Sequence, residues 1–214
     1  MHVSIVVDVM RATSTIAQAL ASGYRRVLCC RDVEEALALR EELDEEVVLG
    51  GERKAVLIEG FDLGASPREY LEPRAETVIM TTTNGTRAIL AAASRSEVVL
   101  LGSLLNLGAV AAVTRTGETD VTVVCAGYQG AFAIDDAYCA GRIVELVDGE
   151  RTDAAVASLA IANAFPTAWE GVTARTYGPP GLDDDLRWCT QENTLQVVPR
   201  FTRMVGEAAE VMAG

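Results

Sequence analysis

Short apolar runs rich in β-branched residues alternate with helix-patterned stretches through the first 150 residues, and this alternation constrains the fold more than any other feature. Val3–Asp8 is the first such run, of the kind expected for a strand buried in a parallel sheet. Arg11–Ala21 follows with Ile16, Ala19 and Leu20 on one side and closes at Gly23, a helix stop signal. Further strands are predicted at Arg26–Cys30, Val47–Leu49, Thr77–Thr81, Glu97–Gly102 and Asp120–Cys125. Between them the pattern predicts helices over 33–43, where Asp32 and Glu35 form a capping box, and over Gly85–Ser94, Leu104–Arg115 and Ile134–Val147. Glycines and Pro67 make residues 50–70 a long shaped loop with a short helix near Pro67–Leu71. Beyond about residue 150 the chain reads as mostly helical, with an ill-defined stretch at Thr176–Asp185. The expected architecture is α/β: a mostly parallel sheet with helices on both faces and a helical C-terminal third, in one domain over 1–214.

Composition then excludes whole classes of chemistry. Lys and Arg total 18 against 31 Asp and Glu, a net charge of −13, and no basic stripe offsets it, so nucleic acid is not an expected partner. The single histidine, His2, stands at the N-terminus, which disfavours Ser-His-Asp triads, histidine phosphatases and multi-histidine metal sites. The single lysine, Lys54, lies in no phosphate-binding G-x-x-x-x-G-K-[ST] loop. Cys29, Cys30, Cys125, Cys139 and Cys189 are odd in number and lack C-x-x-C spacing, which suits reduced thiols. No signal peptide or run of about 18 apolar residues is evident, so a cytoplasmic protein without a membrane partner is expected. Apolar residues in the C-terminal third are compatible with a homodimer.

Polar residues gather where the predicted strands end, the edge at which open α/β sheets bind ligands. Asp8 and Arg11 follow the first strand, Glu52 and Arg53 the third, and Thr82, Thr83, Asn84, Gly85 and Thr86 the fourth. Each has a simpler reading: Asp8 pairs with Arg11 or caps a helix, Asp135 and Asp136 complement a helix dipole, and the threonines cap. Taken together, they favour a site. A hydroxyl- and glycine-rich turn before a helix suits an anion, and a carboxylate at a buried strand end calls for a cation or a partner. Cys125 reads as a small buried residue and Glu41–Glu46 as a solvated helix face.

The segments Asp8–Ile16 (DVMRATSTI), Gly50–Arg53 (GGER), Glu59–Tyr70 (EGFDLGASPREY) and Thr82–Thr86 (TTNGT) carry a resemblance that covers nearly the whole chain. Gly102–Asn106 (GSLLN), Cys125–Gly127 (CAG), Phe132–Gly141 (FAIDDAYCAG), Asp185–Cys189 and Pro199 extend it. The chain resembles the 2-phosphosulfolactate phosphatase family, magnesium-dependent phosphatases of coenzyme M biosynthesis. It departs from the family pattern at Ala65, where Asn is usual, and at Asp135-Asp136, where Glu-Asp is usual. The resemblance implies hydrolysis of (2R)-2-phospho-3-sulfolactate to 3-sulfolactate and phosphate with Mg²⁺. With no catalytic histidine, and neither a D-x-D after the first strand nor an arginine six residues after any cysteine, carboxylate-held Mg²⁺ with arginines is the chemistry left open. Under this reading Asp8, Asp135 and Asp136 hold Mg²⁺, or Asp8 attacks phosphorus itself, with Glu52 a further carboxylate. Arg11 and Arg53 hold anionic groups, Asp62 is a general acid, and Thr82–Thr86 with Ser66 bind the small phosphorylated substrate. A phosphatase for another small phosphorylated carboxylate, or a non-catalytic anion binder on the same fold, would use the same features.

Overall fold

The computed structural model describes residues 1–114 and 119–214. Its strands are β1 (His2–Val7), β2 (Arg26–Cys29), β3 (Val47–Arg53), β4 (Val56–Leu57), β5 (Thr77–Thr81), β6 (Val98–Gly102), β7 (Asp120–Cys125), β8 (Pro199–Val205) and β9 (Ala208–Ala213). The helices are α1 (Ala12–Ser22), α2 (Val33–Glu42), α3 (Gly85–Ala93), α4 (Leu107–Thr114), α5 (Ile134–Leu146), α6 (Asp153–Ala164), α7 (Ala168–Thr173) and α8 (Asp183–Cys189). One-turn 3₁₀ helices cover Pro67–Tyr70 and Leu104–Asn106. The second of these splits the helix expected from Leu104, whose expected end at Arg115 lies outside the described residues.

The strands join one sheet in the order β4-β3-β5-β2-β9-β8-β6-β1-β7. Two parallel blocks, β3-β5-β2 and β6-β1-β7, flank the antiparallel hairpin β8–β9, which pairs with β2 on one side and β6 on the other. The α/β class is as expected, but the sheet is mixed rather than mostly parallel, and the C-terminal third is not wholly helical. The cause is local. Gly206, at φ +61°, opens a two-residue turn between Val205 and Ala208, and Gly at the first position of such a turn closes a hairpin. Across the turn Ala209 and Val211 enter one core while Ala208 enters another, a period of two that overrides the helical preference of an alanine-rich run.

Alternation also explains the layers. Val6, Val27, Met80 and Leu101 pack with Ile16 and Leu20 of α1 and Ile89 of α3 on one face. On the other, Ile5, Val7 and Leu100 meet Val110 of α4 and Ile143 of α5, while Leu28, Leu49 and Ile79 meet Ala36 and Leu39 of α2. Helices therefore cover both faces. Each fully buried Leu or Ile contributes about 1.5–3 kcal/mol. The edge strand β7 is only partly covered, and Cys125 at its end is exposed rather than buried. Among the described residues no helix is long and apolar enough to cross a membrane.

Candidate active site

Asp8 immediately follows β1, and its buried carboxylate faces the turn into α1. Its Oδ1 accepts the Ala12 N–H at 3.3 Å, so a capping contact is present. The Thr13 hydroxyl brackets the same turn, accepting from the Asp8 N–H and donating to its carbonyl. Asp8 makes no ion pair with Arg11. Gly85, the first residue of α3, comes so close that a Cβ there would lie 2.6 Å from Asp8 Oδ2 and 2.3 Å from the Ala12 Cβ. Only glycine allows the helix to start against this carboxylate.

A second wall comes from β3 and β5. β3 runs past its expected end at Leu49 and turns into β4 through Lys54 and Ala55, at φ +53° and +64°. Both positions of this two-residue turn are left-handed without a glycine, at a cost of roughly 1 kcal/mol or more each. Two contacts hold it. Ala55 N donates to Glu52 Oε2 at 2.6 Å, and Arg11 Nη2 donates to the Ala55 carbonyl at 3.3 Å. Glu52 also accepts the Thr83 N–H at 2.7 Å and the Thr83 hydroxyl at 3.1 Å, fixing the turn after β5. Thr82 and Thr86 exchange backbone-to-hydroxyl bonds at 3.1 and 3.2 Å, so the Thr82 hydroxyl takes up an N–H of the first turn of α3 while the Thr86 hydroxyl ties the helix back to the end of β5.

The third wall comes from the C-terminal region. Asp185 at the start of α8 accepts from Arg11 Nη1 and from the Ser66 hydroxyl, holding a buried guanidinium against the cleft. Tyr177 stacks on Tyr128 with ring centroids 4.3 Å apart, and its hydroxyl donates to Asp135. Residues 175–182 thereby lie across the strand ends.

Together Asp8, Arg11, Glu52, Thr82, Thr83 and Asn84 line one cleft, closed from the far side by Tyr128, Arg175 and Tyr177. The other expected site residues occupy different places. Asp135 and Asp136 sit behind the cleft wall at the start of α5, and both oxygens of Asp136 are occupied, by Val9 N and Gly127 N at 2.9 Å each. Asp136 thus ties the end of β1 to the loop after β7. Arg53 bonds the Glu52 carbonyl and Thr81 Oγ1, and Asp62 accepts the Leu49 N–H at 2.8 Å, both outside the cleft lining. Ser66 opens onto a neighbouring hollow shared with Arg11 and Asp185. Gly85 and Thr86 form the base of the turn.

The carboxylates load the site with negative charge. Burial, reinforced by Asp135 and Glu52 and opposed by the Ala12 N–H and Arg11, pushes the Asp8 carboxyl up to about 7. Burial also raises Asp136 well above its ordinary value, with Asp8 and Asp135 adding to the effect. Asp135 rises through burial despite the hydrogen bond from Tyr177. Among the described residues, no three His, Cys, Asp or Glu side chains are grouped as a ready-made metal cage.

Sequence reasoning missed Lys54, Tyr128, Arg175, Tyr177 and Asp185 as site residues. Lys54 directly follows the Glu52-Arg53 pair, and its being the only lysine was the available signal. Arg175 and Tyr177 carried none, because a Gly- and Pro-rich segment far along the chain brings them in.

A family model described as 2-phosphosulpholactate phosphatase matches residues 1–204. The chain is 40% identical over 210 residues (93% of this chain, 89% of the relative) to a probable 2-phosphosulfolactate phosphatase of Clostridium acetobutylicum. Proteins with the same description from Symbiobacterium thermophilum (39% over 214 residues; 94% and 91%) and Caldanaerobacter subterraneus (38% over 209; 92% and 86%) are similarly related.

Proposed function

The chain belongs to the 2-phosphosulfolactate phosphatase family, and from that membership and the cleft we propose that it hydrolyses 2-phospho-3-sulfolactate to 3-sulfolactate and phosphate, with Mg²⁺. The observation that carries the reading is Asp8. It lines the cleft, is buried among like charges, and among the described residues its carboxylate accepts one hydrogen bond, at Oδ1. Glu52, by contrast, spends both oxygens holding the surrounding turns.

The donor set fits a hard divalent ion. A buried carboxyl raised by Asp135 and Glu52 gains from a cation beside it, and Mg²⁺ takes one or two carboxylates while keeping water and substrate oxygens as its other ligands. Asp8 would hold it, with Asp135 contributing charge from behind. When bound, the ion neutralises phosphate oxygens and lowers the pKa of water beside them. The chain does the rest. Arg11, fixed by Asp185, meets the phosphate with a preoriented guanidinium. Asn84 and the amino end of α3 supply hydrogen-bond donors and a favourable dipole on the same side, with Thr83 held by Glu52 as part of the wall. Tyr128 and Tyr177 restrict water at the mouth. A cytoplasmic location and a place in coenzyme M biosynthesis accompany this reading.

The test is phosphate release from racemic 2-phospho-3-sulfolactate, with and without Mg²⁺, beside phospholactate. Mg²⁺-dependent release that favours the sulfonated substrate is expected. Equal turnover of phospholactate would point to a broader phosphatase. Binding without turnover under any metal would replace the enzyme reading with an anion-binding one.

A further inference from the structure

Two cations line the cleft without a close ion pair, although the Arg175 charge acts at longer range on the Asp135 carboxyl. Arg11 is neutralised by Asp185, but neither Lys54 nor Arg175 forms an ion pair among the described residues, although both line the cleft. In a chain with 31 acidic against 18 basic residues, acidic partners are plentiful. The two arrive from independent parts of the chain. Lys54 sits at the tip of the β3–β4 hairpin, on the left-handed turn held by Glu52 and Arg11. Arg175 follows α7, and its guanidinium lies against Gly178, where a Cβ would be 3.4 Å from Nη1. Gly178, at φ +93°, thus leaves room for the guanidinium beneath the segment that crosses the cleft. Lys54 is exposed and Arg175 half-buried, whereas Asp8 is buried, so the two cations mark the outer end of the cleft.

We propose that Lys54 and Arg175 form a two-cation clamp for a sulfonate at the outer end of the substrate and thereby set the preference for a sulfonated phosphoester. The orientation rests on the phosphatase reading above, which seats the phosphate beside Asp8 and Arg11. A sulfonate stays ionised at any working pH and presents three equivalent oxygens. A mobile ammonium and a guanidinium from opposite sides can share it without the planar geometry that a carboxylate prefers.

The test compares kcat/KM for 2-phospho-3-sulfolactate with that for phospholactate in wild type, Lys54→Gln, Arg175→Gln and Lys54→Arg. Each Gln variant is expected to lower the ratio of the two values about tenfold or more, chiefly through KM for the sulfonated substrate. Lys54→Arg is expected to retain most of the ratio. A ratio unchanged in both Gln variants would overturn the clamp while leaving the phosphatase reading intact. Calorimetric titration of 3-sulfolactate against lactate gives a readout independent of turnover. Weaker 3-sulfolactate binding in the Gln variants supports the clamp even if wild type hydrolyses neither phosphoester, the result that would sink the phosphatase reading. No preference for 3-sulfolactate over lactate in wild type would overturn the clamp.

Discussion

Buried charge gathers in two regions of this sheet, and they are built on opposite plans. Where β2 and β5 begin, Arg26 donates to Glu210 at 2.7 Å, to Glu45 and to Thr77, and Arg203 and Thr202 complete the shell around Glu210. Burial would raise the Glu210 carboxyl, but hydrogen bonds from Arg203, Thr202 and Arg26 outweigh it and hold it at about 2. Glu45 is likewise held below its usual value, the Arg26 hydrogen bond overcoming burial. Where β1 and β5 end, Asp8, Asp135 and Asp136 instead sit among like charges and shift upward. The first region satisfies its charges internally and pins the C-terminal hairpin into the sheet. The second keeps its carboxyls raised despite Arg11 and Arg175, a state that a bound cation or protons relieve. Charge that is balanced holds the fold together, and charge left unbalanced marks the place where a ligand completes the structure.

The largest expected effect on stability falls in the balanced region. Glu210→Ala removes the more deeply buried of the two carboxylates that Arg26 pairs with, leaving Glu45 and Thr77, and is expected to cost about 3 kcal/mol, lowering Tm by roughly 10 °C. The substrate preference of the remaining folded enzyme is expected to persist; thermal unfolding with a parallel kinetic assay checks both. A near-neutral Glu210→Ala would erase the contrast between the two regions.

A smaller effect follows from pH. Because the folded Glu210 carboxyl lies near 2 against an ordinary 4.5, its stabilisation is fully present above about pH 4.5 and is lost as pH falls toward 2. Arg203 is open to solvent and its share is screened, so the loss is on the order of 1–2 kcal/mol. Denaturant titrations of wild type and Glu210→Gln between pH 5 and about 2.5 are expected to converge on acidification. Parallel curves would remove Glu210 as the source of the acid limb.

The same contrast explains what the sequence revealed. Asp8, Glu52 and the 82–86 turn were legible because β-branched runs locate strands, and strand ends locate sites. Asp136 was legible as a residue of this region, but not in its role of bridging Val9 and Gly127, which depends on two loops meeting. Glu45 read as part of a solvated acidic face because nothing local announces that Arg26 reaches it. The hairpin β8–β9 was hidden by the helix-forming Ala208, Ala209 and Met212; its strand character comes from β2, near the other end of the chain, and β6, near its middle. Local periodicity exposes elements, whereas long-range pairing decides how they are ordered.

The most direct measurement is Asp8→Asn, assayed at pH 8 with and without Mg²⁺ for both phosphate release and Tm. The folded Asp8 carboxyl lies at about 7 against an ordinary 3.8, so the metal-free wild type loses stability as pH rises between those values. Asparagine keeps the acceptor for the Ala12 N–H and removes the repelling charge. The expected result is turnover of 2-phospho-3-sulfolactate reduced about 10³-fold or more, a metal-free Tm equal to or above that of wild type, and loss of the Mg²⁺-induced rise in Tm. Wild-type turnover in the variant, or a fall in Tm like that expected for Glu210→Ala, would contradict the assignment of Asp8 as the functional centre of an unbalanced acidic site.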